Sequence, residues 1–130
     1  MRRDLDLIIK MLEHLEQRNE SSVIQLMPIE GYSKPEIQYH QILMADAELI
    51  FCETSNSSST RSRIIMAWPF DLTWKGQEFL ALYRDKRVWN EIKAHFGQNL
   101  KRAPIETLFD VAKTVGKQVA ISKIENLIGE

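Results

Sequence analysis

Chemistry in this chain has few candidate carriers. The three histidines, His14, His40 and His95, share no metal-ligand spacing with one another or with the single Cys52. Glu36, Asp46, Glu48 and Glu53 are scattered carboxylates with no spacing that fixes an acid–base pair. Ser57–Ser59 fall in a polar stretch, a poor platform for a nucleophile, and no phosphate-cradling glycine loop or nucleophile elbow occurs. The expectation is a non-enzyme without metal or cofactor. Recognition chemistry is better represented. Lys34, Gln38 and Gln41 follow one another at near-helical spacing, and Thr60, Arg61 and Arg63 cluster downstream. Gln pairs with adenine and Lys with guanine or phosphate, while Thr60, Arg61 and Arg63 suit phosphates or the minor groove.

These side chains need elements to position them. Leu5, Ile8, Ile9, Leu12 and Leu15 give residues 4–18 an amphipathic helix, with Asp4 and Asp6 in its first turn. Residues 23–30 hold a short extended piece that Pro28 limits to a sheet edge. A second helix spans 33–47, with Ser33 as N-cap, Pro35 in the first turn and Glu36 completing a capping box. Its inner face is Ile37, His40, Met44 and Ala47. His40 is expected to be a hydrogen-bonded structural residue, and Lys34, Gln38 and Gln41 an outer face. A strand begins at Leu49-Ile50-Phe51. Residues 54–62 read as a flexible loop, and Ile64, Met66, Trp68, Phe70 and Leu72 alternate as one face of a returning strand. Thr73 caps a third helix in which Gly76 marks close packing, Asp85 caps a fourth that Gly97 ends, and Pro104 opens a fifth through Leu127. Trp68, Trp74 and Trp89 read as core or junction residues.

A helix running into a two-stranded hairpin with a polar tip is the pattern of a winged helix. The predicted fold is mainly α with a small β-hairpin: a winged-helix domain over 1–84, and a helical arm over 85–130 that packs on it or forms an oligomer interface. The second helix is then the recognition helix and 54–62 the wing.

Arg3-Asp4-Leu5-Asp6-Leu7-Ile8, Gly31-Tyr32-Ser33, the Tyr39-His40 pair, Leu72-Thr73-Trp74 with Gly76 and Glu78-Phe79-Leu80, and Val88-Trp89-Asn90 resemble an uncharacterised family of small bacterial and phage proteins. That family is defined as a domain of unknown function similar to winged-helix proteins, so the resemblance implies a fold and no activity. Similar proteins carry an Ala-Gly-Leu-Ile turn after the second helix. Here the glycine is Glu48, and Gln41 stands where an apolar residue is common.

At 130 residues, 44% apolar and 27% charged, the chain fits one ordinary domain. No apolar run reaches the ~20 residues that span a bilayer. The lone cysteine and the absence of a signal-like apolar stretch near Met1 place it in the cytoplasm by expectation, where the Asn56-Ser57-Ser58 sequon is idle.

A formal net charge of −1 gives no global basic surplus for nucleic acid. Between residues 30 and 48 a single base, Lys34, stands against Glu30, Glu36, Asp46 and Glu48. Between 84 and 102, Arg84, Lys86, Arg87, Lys93, Lys101 and Arg102 stand against only Asp85 and Glu91. The partner expected first is double-stranded DNA, read by Lys34, Gln38, Gln41, Thr60, Arg61 and Arg63 in a regulator of phage or mobile-element type. The alternative is a protein-interaction module. The long last helix, ending in Ile121, Ile124, Leu127 and Ile128, is expected to reach a protein partner or a second copy in a homodimer.

Overall fold

The computed structural model describes residues 1–128. Among them the elements are α1 (Leu5–Gln17), α2 (Lys34–Asp46), β1 (Ile50–Asn56), β2 (Ile64–Leu72), α3 (Trp74–Arg84), α4 (Lys86–Phe96), a 3-10 helix (Gly97–Arg102) and α5 (Ile105–Ile128). The protein is mainly helical with one two-stranded antiparallel hairpin. Residues 18–33 join α1 to α2 without regular structure, unlike the ~3–4-residue turn of a helix-turn-helix. The chain divides into two compact units between Gln77 and Glu78, inside α3, whereas the sequence pattern places a boundary after residue 84.

In the first unit α1 buries a wide arc of its surface, while Asp6, Lys10, Glu16 and Gln17 stay exposed. Leu7 and Met11 are buried along with Leu5, Ile8, Ile9, Leu12 and Leu15, so its apolar face is wider than the strict helical stripe. Asp4 caps it, accepting from the amides of Asp6 and Leu7. α1 and α2 pack on β2.

The hairpin departs from simple alternation. Phe51 pairs with Asp71 and Cys52 with Pro69, leaving Phe70 as an extra residue on β2. Ser55 pairs with Met66 and Asn56 with Ile64, leaving Ile65 extra in the same way. Each bulge shifts the inward phase by one residue. Ala67, Pro69 and Leu72 are therefore the fully buried residues of β2, and Ile64, Met66, Trp68 and Phe70 are only half-buried. The expected core face was out of phase over most of its length. β1 also extends to Asn56, into the polar stretch that reads as loop. Residues 23–30 form no strand. Only the Ile24 amide reaches toward the hairpin, donating to the Pro69 carbonyl at 2.8 Å.

The end of α2 is a Schellman closure. The Glu48 amide donates to Ala45 O at 3.1 Å and the Leu49 amide to Met44 O at 2.9 Å, with both Met44 and Leu49 buried. The closure needs a left-handed residue, and Glu48 occupies it at φ 60°. The start of α3 locks the turn. Thr73 Oγ1 donates to Glu48 O at 2.6 Å and accepts from the Gly76 amide at 3.0 Å, while Lys75 Nζ donates to Ala47 O at 3.2 Å. Gly76 lies so close to the Leu49 carbonyl that a Cβ there would collide with it.

In the second unit Asp85 caps α4 through the Arg87 and Val88 amides, and Gly97 closes it at φ 55°. Val88 and Ile92 face inward, Phe79 stacks on Phe109 at 6.2 Å, and Tyr83 meets Trp89 edge-on at 5.0 Å. α5 buries Leu108, Phe109, Ala112 and Val119 over its first two-thirds. Ile121, Ile124, Leu127 and Ile128 are exposed, Leu127 by 79%.

Replacing Glu48 with Gly removes the left-handed strain and is expected to raise stability by about 1 kcal/mol. Gly76→Ala is expected to lower it by about 1–3 kcal/mol through the clash with the Leu49 carbonyl. Denaturant unfolding of the two variants checks both; equal midpoints would contradict the geometry of this junction.

Candidate nucleic-acid interface

The outer face of α2 is set by its cap. Ser33 Oγ accepts from the Glu36 amide at 3.3 Å, and the Glu36 carboxylate turns back to accept from the Ser33 amide at 3.2 Å and hydroxyl at 2.9 Å. Lys34 and Gln38 are exposed beside this cap. Asp46 and Glu48 are exposed at the other end. With ~1.5 Å of rise per residue, about 18 Å of helix separates Lys34 from Asp46. That exceeds the ~8–10 Å Debye length of ordinary buffers. The acidic count over 30–48 thus combines two ends of the helix, although Glu30 and the capping carboxylate of Glu36 remain at the Lys34 end.

Gln41 is not on that face. It is 1% exposed, and its carboxamide is fully used. Oε1 accepts from the Met27 amide at 2.9 Å, while Nε2 donates to Ala67 O at 2.9 Å and Gln25 O at 3.2 Å. No groove can reach it, and the expectation that it reads a base is withdrawn. Its spacing held the warning: Ile37, Gln41 and Met44 lie three and four residues apart, on one helical face.

His40, next to it, is 1% exposed. Nε2 accepts from the Asp4 amide at 2.8 Å, and Nδ1 lies 2.7 Å from Glu36 O, to which it donates. The partners fix the neutral tautomer with its proton on Nδ1. The expected structural role is what the geometry shows.

The hairpin tip is built, not loose. Ser57 is buried, and its Oγ accepts from the amides of Ser59 at 3.3 Å and Thr60 at 3.2 Å. The Ser57 amide donates to Arg63 O at 2.9 Å, the Arg63 amide to Thr60 O at 2.9 Å, and Asn56 Nδ2 to Arg61 O at 2.8 Å. The expected flexible loop is an ordered turn, because serine and asparagine side chains satisfy its backbone locally. Thr60, Arg61 and Arg63 are exposed on it. From Thr54 to Phe70 the hairpin carries both arginines and no carboxylate.

Trp74, expected in a core or junction, is 76% exposed; Trp68 and Trp89 are half-buried. Among the described residues no group of His, Cys, Asp and Glu is placed to hold a metal ion, and no helix is long and apolar enough to cross a membrane. Burial pushes the Cys52 thiol up to about 12, which keeps it protonated at neutral pH.

The family described as a hypothetical protein (DUF2513) matches residues 2–100. No curated protein and no solved structure matches the chain.

Gln41→Leu would strand the Met27 amide and the Ala67 carbonyl, and is expected to cost at least about 2 kcal/mol in denaturant unfolding. Cys52 in the native chain is expected to alkylate roughly a thousandfold more slowly at pH 8 than an ordinary thiol of pKa ~8.5. Its rate should climb tenfold per pH unit toward 12 and jump on unfolding; fast labelling of the native chain at pH 8 would contradict its burial.

Proposed function

The chain belongs to the DUF2513 family, and we propose that it is a non-catalytic, cytoplasmic module that binds double-stranded DNA through the hairpin tip and the N-terminal half of α2. The observation that supports this most is the tip itself. Arg61 and Arg63 stand exposed on a turn ordered by its own hydrogen bonds, in a stretch without a single carboxylate. Preordered cations lose less entropy on meeting phosphate than cations on a loose loop. Thr60 adds a hydroxyl, and Lys34 and Gln38 offer groove-reading chemistry on an exposed helix face. In this reading the fold is a winged-helix variant, the hairpin is its wing, and the role is that of a small regulator of phage or mobile-element type.

A second reading, a protein-interaction module, is favoured by one feature of the other unit. Ile121, Ile124, Leu127 and Ile128 lie exposed along the end of α5. Such a stripe fits a protein partner or a homodimer contact.

Fluorescence anisotropy against random-sequence duplex DNA at low and moderate salt separates the readings. DNA binding predicts affinity that falls steeply with salt. Arg61→Ala combined with Arg63→Ala should reduce the log–log salt slope by about 2. Lys34→Ala should weaken binding to all sequences. Gln38→Ala should relax sequence preference in a site-selection experiment. No binding at low salt would overturn the DNA reading, and a concentration-dependent mass in sedimentation would then support the second.

A further inference from the structure

The second unit carries the most basic stretch of the chain, and its placement on α4 gives that stretch a direction. Val88 and Ile92 are buried, which turns Lys86, Asn90, Lys93 and Gly97 outward in one row, four, three and four residues apart. Arg87 and Ala94 are exposed beside this row. The chain then continues into the 3-10 helix, where Gln98, Asn99, Lys101 and Arg102 are exposed. The nearby acids offset only part of this charge. Asp85 is occupied in capping α4 through the Arg87 and Val88 amides. Glu91 lies off the outward row but four residues beyond Arg87, on that residue's side of the helix, so it offsets Arg87 in part and leaves Lys86 and Lys93 unopposed. Among the described residues Lys86, Arg87, Lys93, Lys101 and Arg102 take part in no ion pair.

We propose that the outward face of α4 and the 3-10 helix that follows it form a second nucleic-acid contact, which grips the phosphate backbone without reading sequence. The ligand class follows from what lies between the cations. A protein interface needs an apolar or aromatic centre; on and beside this row the exposed side chains between the cations are Asn90, Ala94, Gln98 and Asn99, while Trp89, Phe96 and Leu100 are half-buried at its flanks. A membrane-surface helix needs a free apolar face, and the apolar residues Val88 and Ile92 are already committed to the core. Cations interleaved with small and amide side chains suit a regular polyanion. Lys86 and Lys93 stand about 10 Å apart along the helix axis. Duplex DNA presents one charge per ~1.7 Å of its own axis, so each cation finds a phosphate in more than one register. The contact rests on the reading above only for its ligand, since it lies in the other unit and uses none of the same residues.

The test is an amide-resolved NMR titration of the full chain with a random-sequence 20-base-pair duplex at low salt, beside the variant Lys86→Gln, Arg87→Gln, Lys93→Gln. All three positions are exposed, and an unchanged circular dichroism spectrum would verify the variant's fold. The expected result is shifts at residues 86, 87, 90, 93, 101 and 102, together with a salt slope lowered by roughly 2–3 in the variant. Shifts confined to Lys34, Gln38 and the hairpin tip, with an unchanged slope, would overturn this contact and leave the DNA reading standing. Shifts confined to α4 and the 3-10 helix would support the contact and overturn the assignment to α2 and the tip. No shifts at all would overturn both.

Discussion

The first unit depends on finding partners for the backbone of a segment that has no ladder of its own. Residues 18–33 are neither helix nor strand, yet part of the segment is buried, and Met27 is fully enclosed. A buried amide without a partner is costly. The chain solves this with two adjacent side chains of α2. Gln41 takes the Met27 amide and gives its own two protons to Gln25 and Ala67, while His40 takes the Asp4 amide at the head of α1. One turn of α2 thereby holds the entry to α1, the irregular segment and β2. An apolar residue at position 41 would fill the same space and satisfy none of these groups.

The other end of α2 is fixed by different means. The Schellman closure, the Thr73 hydroxyl and the close approach of Gly76 join the helix end, the start of β1 and the start of α3 at one point. With both ends held, the exposed face carrying Lys34 and Gln38 is presented by a helix with little freedom to turn. The ordered hairpin tip extends the same economy to Arg61 and Arg63. Surface recognition of a stiff polyanion gains from such preorganisation, because less conformational entropy is lost on contact.

Much of this was legible in the residues. Ser33 with Glu36, Asp85, Gly97 and the helical spacing of Leu5 through Leu15 announce their elements by local chemistry, and local chemistry decided them. Glu48 stands where a turn glycine is usual, and it nonetheless takes the left-handed backbone of that glycine, which the residue type alone argues against. What escaped was set by tertiary structure. Two bulges changed the phase of β2, and nothing in an alternating run reveals an extra residue. Gln41 looks like surface because it is polar; its place on the face of Ile37 and Met44 was readable from spacing, but the acceptors that satisfy it there lie more than a dozen residues away, which spacing does not show. Ser57 looks like loop because it is serine, but its hydroxyl is what orders the tip. For the candidate interface, residue types were readable, while the separation of Lys34 from Asp46 along α2 emerges only once the helix is built.

The clamp made by Gln41 and His40 is the claim on which the presentation of α2 rests, and native-state hydrogen exchange addresses it directly. The Met27 and Asp4 amides, both outside regular structure, should exchange only through global unfolding, with the same free energy as the central amides of α1. Exchange of Met27 at the rate of an open loop, while α1 stays protected, would mean that the segment breathes independently of α2 and would contradict the account.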